Sequence, residues 1–385
     1  MTGRVMFYAQ HLLGIGHLKR AAILARAMAA HGLEVWVVLG GPAVPGVAFD
    51  GCARIALPPI RAADASFQSL VDEHGAPIDD AIKEARLSRL LYEFATVRPD
   101  VLLIEQFPFG RNAFRFELMP LLARARVATP APTVVCSLRD VLVRKSDPAR
   151  RREMVTLAKA WFHRILVHGD PTLIPLEASF PEARDLADML RYTGYATEPR
   201  PNPAPPIFES GRGEVIVSAG GGAVGEPLLR CALAARPLSR AATLPWRLVC
   251  GPGLADPVYG ELLFDPPPGV IVERWRADLP NLLRNCVLSI SQGGYNTIVD
   301  ILQVAVPAVV VPFADGNETE QALRAAILAG KGVMTVVDPA RLSPQSLAAA
   351  VDATLGKPPT TIPVNLDGAA ATAREIAALC RGRGA

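Results

Sequence analysis

The chain has 385 residues, half of them apolar, and a formal net charge of +3. This length favours two hydrophobic cores, and so small a charge predicts no general attraction to nucleic acid. No apolar run reaches the ~18 residues that cross a bilayer, and no signal-peptide pattern precedes the first predicted strand. The six cysteines form no Cys-x-x-Cys pair, which disfavours zinc and redox motifs. We therefore expect a cytoplasmic protein.

Short apolar runs alternate with longer Ala-, Leu- and Arg-rich stretches along the whole chain. Such alternation predicts βαβ units, and runs that are apolar on both faces are typical of parallel strands covered on both sides. The predicted strands are 5–10, 35–39, 101–105, 133–138 and 164–168 in the front half, and 214–219, 246–250, 270–274, 287–291 and 307–312 in the back half. The expected fold is α/β, with two doubly wound halves that bind ligands at the carboxyl ends of their strands.

A proline-rich segment separates the two halves. Five of the eight residues 199–206 are proline, which excludes a helix or a central strand there. The predicted organisation is an N-terminal domain over 1–198, a linker over 199–212, a C-terminal domain over 213–363, and a last helix within 364–385 that packs back on the first domain.

The first predicted strand is followed by a glycine loop that contains a histidine. Gly14 and Gly16 allow a sharp turn, and His17 comes directly before a predicted helix over 18–30. A helix start lowers the pKa of an imidazole, and a neutral imidazole can act as a general base. His17 is therefore the candidate base, with helix capping or packing as the alternative. The other five histidines are expected to be structural or exposed.

A second glycine loop, Ser218-Ala-Gly-Gly-Gly-Ala-Val-Gly225, follows the first strand of the back half. Glycines permit close approach of backbone N–H groups, and the next helix adds the positive end of its dipole, so the loop can hold a phosphate. It is neither a GxGxxG nor a Walker A sequence. Tight packing between strand and helix is the alternative explanation.

The stretch 289–324 contains polar residues after two consecutive strands. Ser291 ends one predicted strand, Gln292-Gly293-Gly294 forms a turn, and a helix opens at Asn296-Thr297 with Asp300 inside it. The next strand ends at Pro312-Phe313, and Glu318 to Gln321 enters another helix.

Together with the two glycine loops, this stretch resembles the GT-B glycosyltransferases, and most closely the C-terminal domain of glycosyltransferase family 28. The resemblance implies two Rossmann-like domains facing a central cleft, with the acceptor bound by the first and a nucleotide-sugar by the second. It implies an inverting reaction, with UDP as the expected nucleotide. No DxD-like acidic pair lies at the end of a predicted strand, so we expect no essential metal or cofactor.

The resemblance also assigns roles to individual residues. Asp300 aligns with an acid that holds ribose hydroxyls, while Gln321 with Glu320 aligns with side chains that bind sugar hydroxyls. Trp275 lies in the loop that borders the base. The remaining implied donor-site residues are Gly16, Ser218, Gly220, Gly221, Gly222, Ser291, Gly293, Gly294, Asn296 and Thr297.

Other functions fit parts of the same pattern. The segment around His17 also resembles nucleotide-sugar hydrolases of the same fold, in which the histidine acts on water, but those chains are shorter. An epimerase and a non-catalytic nucleotide-sugar binder remain alternatives. A dinucleotide dehydrogenase is disfavoured, because the second strand ends at Leu39-Gly40-Gly41 without a ribose-binding acid.

Two segments with several basic residues fit more than one role. The first, 107–117, interleaves aromatic residues with Arg111 and Arg115, and the second, 139–154, contains six basic residues. Either suits an anionic or apolar-tailed acceptor or weak peripheral contact with the inner face of a membrane. The favoured interpretation is an interior loop with two solvated arginines and a solvated helix. The acceptor, whether glycan, lipid-linked or small molecule, is not identified by the sequence.

Overall fold

A computed structural model describes most of the chain. The described residues are 2–12, 16–44, 46–63, 69–143, 145–198, 210–221, 224–276, 278–314, 319–358 and 360–382. Gly14, Gly222, Glu318 and most of the predicted linker lie outside them.

The strands are β1 Arg4–Ala9, β2 Glu34–Leu39, β3 Ala53–Ala56, β4 Arg61–Ala62, β5 Leu70–Val71, β6 Val101–Glu105, β7 Thr133–Arg139, β8 Arg164–His168, β9 Leu190–Tyr192, β10 Val215–Ser218, β11 Trp246–Val249, β12 Val270–Glu273, β13 Leu288–Ser291, β14 Ala308–Val310 and β15 Thr335–Val336. The helices are α1 Gly16–Ala30, α2 Asp80–Val97, α3 Arg115–Arg126, α4 Pro148–Trp161, α5 Glu226–Ala235, α6 Asp256–Phe264, α7 Leu279–Asn285, α8 Tyr295–Val304, α9 Glu320–Gly330, α10 Pro344–Thr354 and α11 Gly368–Arg381. Short 3-10 helices are Asn112–Phe114, Leu176–Ala178, Pro181–Leu186, Arg236–Leu238 and Pro339–Arg341.

The chain divides into two compact units. Unit 1 comprises 1–198 together with 365–385, and unit 2 comprises 199–364. The main sheet of unit 1 has the strand order β3-β2-β1-β6-β7-β8-β9, and the sheet of unit 2 has the order β12-β11-β10-β13-β14-β15, with parallel pairing throughout both. Strands β4 and β5 form a separate antiparallel pair.

Burial on both faces explains why these residues form parallel strands. All five residues of β6 are buried, as are all four of β10, β11 and β13. Helices cover the sheets, and side chains cap some of them, as where Asp79 accepts a hydrogen bond from the N–H of Ile82 at the start of α2. All ten strands predicted from the sequence are present, and the α/β doubly wound fold is confirmed.

The last helix, α11, is part of unit 1. Ala373, Ile376 and Ala377 of α11 are buried in the same core as Phe7 of β1 and Leu24 of α1. A hydrogen bond from the N–H of Asn365 to Asp170 helps to fix the segment that leads into this helix.

The strand orders define one switch point in each sheet. In unit 1 the direction of winding reverses between β1 and β6, and in unit 2 between β10 and β13. Loops diverge at such points, so the carboxyl ends of these strand pairs are where open α/β sheets bind ligands.

Candidate functional site

His17 lies at the switch point of unit 1 and contacts the carboxylate that ends β6. It is the second residue of α1, and Glu105 is the last residue of β6. The distance from Nδ1 of His17 to Oε1 of Glu105 is 3.0 Å. Because β1 and β6 pair directly, the element that follows β1 meets the end of β6 at one edge of the sheet.

The contacts of His17 select one tautomer of its ring. An ionised carboxylate only accepts hydrogen bonds, so Nδ1 must carry the hydrogen that Glu105 accepts. Arg20, one turn further along α1, donates to the same Glu105 oxygen and also lies 3.2 Å from Nδ1 of His17. We assign the hydrogen bond of Arg20 to Glu105, since a protonated Nδ1 has no lone pair to offer. Nε2 of His17 then keeps its lone pair and can accept a proton.

Burial and nearby arginines keep the His17 ring neutral. Burial is the largest cause that lowers the pKa of His17, Glu105 opposes it, and the charges of Arg111 and Arg139 add to the lowering, which brings the pKa to about 3. Burial by itself would raise the pKa of Glu105, but His17 and then Arg20 outweigh it and lower that pKa to about 2. His17 is thus an unprotonated base beside an ionised carboxylate. His17 lies at the start of α1, as the sequence predicted, and burial and two arginines are further causes of its lowered pKa.

Arg111 differs from the sequence interpretation of a solvated side chain. Its Nε and Nη2 atoms are buried and have no hydrogen-bond partner among the described residues. Arg115, four residues later, is solvated, with a side chain 41% exposed that pairs with Glu153. Arg111 therefore belongs to the surroundings of His17.

Two serines lie at the switch point of unit 2. Ser218 ends β10, Ser291 ends β13, and the two residues are paired across the sheet. Both are buried, and within the described part of the chain neither Oγ atom has a hydrogen-bond partner. A buried polar group without a partner costs about 1–3 kcal/mol. This pair favours a polar ligand at the same edge of the sheet.

Close contacts join the loops that follow β10, β11 and β12. Gly251 has a φ of 85°, and a Cβ at this position would lie 1.9 Å from the carbonyl oxygen of Gly220. The N–H of Gly251 donates to the carbonyl of Arg274 at 2.8 Å. Trp275 is the next residue and is 39% exposed. Only glycine fits at position 251, which holds the Gly220 turn against the loop that carries Trp275.

The turn after β13 contacts two other loops. The Nε2 atom of Gln292 donates to the carbonyl of Val224 at 3.1 Å. A Cβ on Gly293 would lie 3.2 Å from the carbonyl oxygen of Gln321. The Oε1 atom of Gln321 accepts from the backbone N–H of Phe313, just after β14, at 3.0 Å. The structure thereby brings Gly293 and Gln321 together at the carboxyl edge of the unit 2 sheet.

Glu320 is engaged differently from its neighbour Gln321. Glu320 is 3% exposed and accepts a hydrogen bond from Arg324 at 2.7 Å. Arg324 is fully buried and also donates to the carbonyl of Gly293 at 3.1 Å. This ion pair fixes the start of α9 on the turn after β13 and leaves the half-buried Gln321 as the more accessible of the two side chains.

The remaining predicted residues lie along α8. This helix begins directly after Gly294, with Asn296 and Thr297 in its first turn. Asp300 is the sixth residue of α8 and is half-buried. Its side chain is therefore one and a half turns from the helix start.

Three residues at these edges were not singled out from the sequence. Glu105 had a signal, because a carboxylate that ends a wholly apolar strand has no structural reason to lie there. Arg324 lies four residues after Glu320, a spacing that pairs opposite charges on a helix. Gly251 follows a predicted strand directly, as the glycines of the two recognised loops nearly do.

Among the described residues, no three His, Cys, Asp or Glu side chains are grouped as metal ligands. In the same ranges, no helix combines the length and the apolar character that crossing a membrane requires. All six cysteines are free thiols.

Sequence comparison finds a similarity to a known family in the C-terminal part of the chain. Residues 216–379 match the glycosyltransferase family 28 C-terminal domain. A UDP-N-acetylglucosamine--N-acetylmuramyl-(pentapeptide) pyrophosphoryl-undecaprenol N-acetylglucosamine transferase of Prochlorococcus marinus (strain MIT 9303) is 29% identical over 158 residues, which cover 40% of this chain and 42% of the relative. A protein of the same name from Brucella anthropi is 35% identical over 81 residues, 21% of this chain and 22% of the relative. The chain thus matches less than half the length of these curated relatives.

Structural similarity extends over the whole chain. The glycotransferase of kitacinnamycin has a TM-score of 0.61 at 19% identity, covering 100% of this chain and 96% of that one. The calicheamicin glycosyltransferase CalG4 has a TM-score of 0.60 at 16% identity, with the same coverage. The spinosyn rhamnosyltransferase SpnG complexed with thymidine diphosphate has a TM-score of 0.58 at 18% identity, covering 99% and 96%. These similarities show that the fold is GT-B.

Proposed function

Since residues 216–379 match the glycosyltransferase family 28 C-terminal domain and the fold is GT-B, we propose that this protein is an inverting glycosyltransferase. It transfers a sugar from a nucleotide-sugar, with UDP as the expected nucleotide, to a hydroxyl of a glycan, lipid-linked or small-molecule acceptor. Unit 2 binds the donor, and unit 1 binds the acceptor. No metal or cofactor takes part in the proposed reaction, which we place in the cytoplasm.

The observation that carries this proposal is the His17–Glu105 pair. A neutral imidazole whose Nε2 atom carries no proton, held by a buried carboxylate 3.0 Å from Nδ1, is the arrangement of an oriented general base. A histidine used only for packing has no need of a buried carboxylate and a buried arginine on one side of its ring.

The proposed reaction needs a base for the acceptor hydroxyl and stabilisation of the leaving diphosphate. Nε2 of His17 takes the proton of the acceptor hydroxyl as that oxygen attacks the anomeric carbon from the face opposite the nucleotide, so the configuration inverts. The bond from the anomeric carbon to the diphosphate oxygen breaks, and negative charge develops there. In this proposal the hydroxyls of Ser218 and Ser291, both buried without a partner among the described residues, stabilise that charge together with the N-terminus of α8.

The rest of the donor occupies the loops of unit 2 in this proposal. Asp300 accepts hydrogen bonds from the ribose hydroxyls, Gln321 binds sugar hydroxyls, and Trp275 borders the base. Glu320 acts through its ion pair with Arg324, which holds Gln321 in place.

The test measures nucleotide release from a panel of nucleotide-sugars, with and without candidate acceptors. A positioned base contributes about 10²–10⁴-fold in rate, so His17→Ala should lose that much acceptor-dependent turnover while donor affinity stays near the wild-type value. His74→Ala is the control, because the side chain of His74 is 82% exposed, and it should retain full turnover. Fast nucleotide release without any acceptor would instead indicate a nucleotide-sugar hydrolase and contradict the transferase.

A further inference from the structure

Several unsatisfied hydrogen-bond donors lie in the loop that follows β6. They include Nε and Nη2 of Arg111 and Nε2 of Gln106, all buried and without a hydrogen-bond partner among the described residues. Gln106 is 6% exposed and directly follows Glu105 at the end of β6. Leaving several donors unsatisfied in a protein interior is costly, and charged donors cost the most.

The two unsatisfied atoms of Arg111 form one edge of its guanidinium. Nε–H and Nη2–H point in parallel and match the two oxygens of a carboxylate or phosphate. The chain fills this edge with a carboxylate at three other arginines. Nε and Nη2 donate to one carboxylate at 2.7–2.8 Å in the pairs Arg86–Glu117, Arg247–Glu214 and Arg276–Asp278. At Arg111 no side chain of the described residues fills it.

The backbone holds Arg111 in this position at an energetic cost. The loop after β6 contains two non-glycine residues in the left-handed region, Gln106 with a φ of 67° and Arg111 with a φ of 60°. Each such residue costs on the order of 1–3 kcal/mol, and such residues cluster at functional sites. Phe107 and Phe109, between them, are buried in the core and anchor the loop. The aromatic residues of this segment thus serve to fix Arg111.

The groups around Arg111 include one carboxylate, that of Glu105, and two further arginines. Burial lowers the pKa of Arg111, and although Glu105 and Tyr8 oppose this, Arg139 and Arg20 add to it. Arg86 is also largely buried, yet its pKa is raised, because Glu117 occupies its side-on edge. Glu117 is hydrogen-bonded to Arg86, whereas Glu105 acts on Arg111 through its charge alone.

We propose that Arg111 and Gln106 bind an oxyanion, a carboxylate or a phosphate, that belongs to the acceptor and lies beside the hydroxyl activated by His17. That the anion is part of an acceptor rests on the proposed function. The anion site itself is inferred from residues of unit 1 alone. The side-on edge of Arg111 takes two oxygens of the anion, and the amide of Gln106 donates to one of them. The protein thereby selects anionic acceptors over neutral ones of the same shape.

The site is tested by binding of small anions to the full-length protein in the presence of saturating UDP, at constant ionic strength. The probes are inorganic phosphate, D-glucuronate as a carboxylate on a sugar, and D-glucose as its neutral counterpart. We expect phosphate or glucuronate to bind and glucose not to bind, and the tighter of the two anions identifies the kind of oxyanion.

Three variants locate the binding site. Arg111→Met should weaken anion binding at least about tenfold, the effect of losing hydrogen bonds to a charged group. Arg111→Lys keeps the charge but not the parallel donors and should fall between Met and wild type. Arg115→Met removes a solvated arginine from the same segment and should change the affinity by less than about twofold. If Arg111→Met fails to fold, Arg111→Lys serves as the test.

Anion binding that is absent in the wild type, or unaffected by both Arg111 variants, would overturn the proposal. A loss of UDP affinity in Arg111→Met would also overturn it, because the arginine would then bind the donor. If the anions bind at Arg111 but no nucleotide or nucleotide-sugar binds the protein, the anion site stands and the transferase is contradicted.

Discussion

The neutral state of the His17 ring and its orientation have different causes. Burial lowers the pKa of His17 to about 3, and the nearby arginines contribute, so the ring is unprotonated over the whole neutral range. The carboxylate of Glu105 opposes that shift, and its role is to hold one tautomer and to stabilise the ring once it is protonated. Base strength and orientation are thus set by different groups.

A double-mutant cycle tests this division of roles. Glu105→Gln removes the charge that stabilises the protonated ring and should lower turnover by about 10²-fold or more, within the range of a general base. Residues that act as one unit are not additive, so His17→Ala with Glu105→Gln should be no slower than His17→Ala alone. Donor affinity is measured in parallel. Independent, multiplying effects on turnover would show that Glu105 acts elsewhere.

A second buried histidine predicts how the stability of unit 1 depends on pH. His168 is fully buried between the hydroxyls of Ser137 and Thr193, at 2.8 and 3.0 Å. Burial, with a contribution from Arg20, lowers its pKa to about 3. The unfolded chain therefore binds a proton that the folded chain does not, between about pH 6.5 and pH 3. The stabilisation is complete above that range and is lost on acidification by about 1.4 kcal/mol per pH unit.

Urea denaturation at two values of pH on either side of about 6.5 checks this expectation. The free energy of unfolding should fall on acidification in the wild type, and His168→Gln should show a smaller fall because one titrating group is gone. His17 acts in the same direction and remains in the variant, so part of the dependence persists. An identical fall in both proteins would mean that His168 is not kept neutral by the fold.

The strands were predictable because their burial leaves a direct mark on the sequence. A parallel strand covered on both faces, such as β6 or β10, is an uninterrupted apolar run. Short or partly exposed strands such as β3 and β15 leave no such mark, and they were missed. Turns with several glycines were also found, but the tight contact of Gly251 with Gly220 depends on neighbouring strands and has no local signature.

Gly251 offers a test of the loops after β10 and β11. Gly251→Ala places a Cβ against the carbonyl of Gly220, 1.9 Å away before any relaxation, so the loop must move. We expect a loss of UDP affinity of about tenfold or more, because backbone groups near a phosphate depend on exact placement. Gly260→Ala is the control, since Gly260 lies in α6 with open space around it. Unchanged UDP affinity in a folded Gly251→Ala protein would separate this loop from the nucleotide.

Pairings between distant parts of the chain were the least predictable feature of the site. Glu105 reaches His17 only because β6 pairs with β1, although 88 positions separate the two residues. Arg111 looked like a surface residue because its neighbours Phe109 and Phe114 give no hint of which way it points. Sequence patterns identify what each element buries, but not which elements become neighbours.

The last helix, α11, follows unit 2 in the sequence but belongs to unit 1. The family match ends at residue 379, within α11, yet α11 packs in the core of unit 1. Ile376→Ala should therefore destabilise unit 1 by about 2–5 kcal/mol, as other buried large-to-small changes do. Ala378→Ser, at an exposed position of the same helix, is the control, and stability is measured by urea denaturation. Under native conditions Ile376→Ala should leave the UDP affinity unchanged. A loss of UDP affinity as large, in free energy, as the loss of stability would show that α11 supports the donor site instead.

The central claim is that unit 2 binds a nucleotide-sugar at the switch point between β10 and β13. Calorimetric titration of the protein with UDP, dTDP and GDP tests it most directly, with Asp300→Ala and the exposed Asp265→Ala as a matched pair. We expect UDP to bind at one site, and Asp300→Ala to weaken it by about 1–3 kcal/mol, the value of hydrogen bonds to a charged group. Asp265→Ala should bind as the wild type does. Absence of binding by all three nucleotides at millimolar concentration would contradict the account.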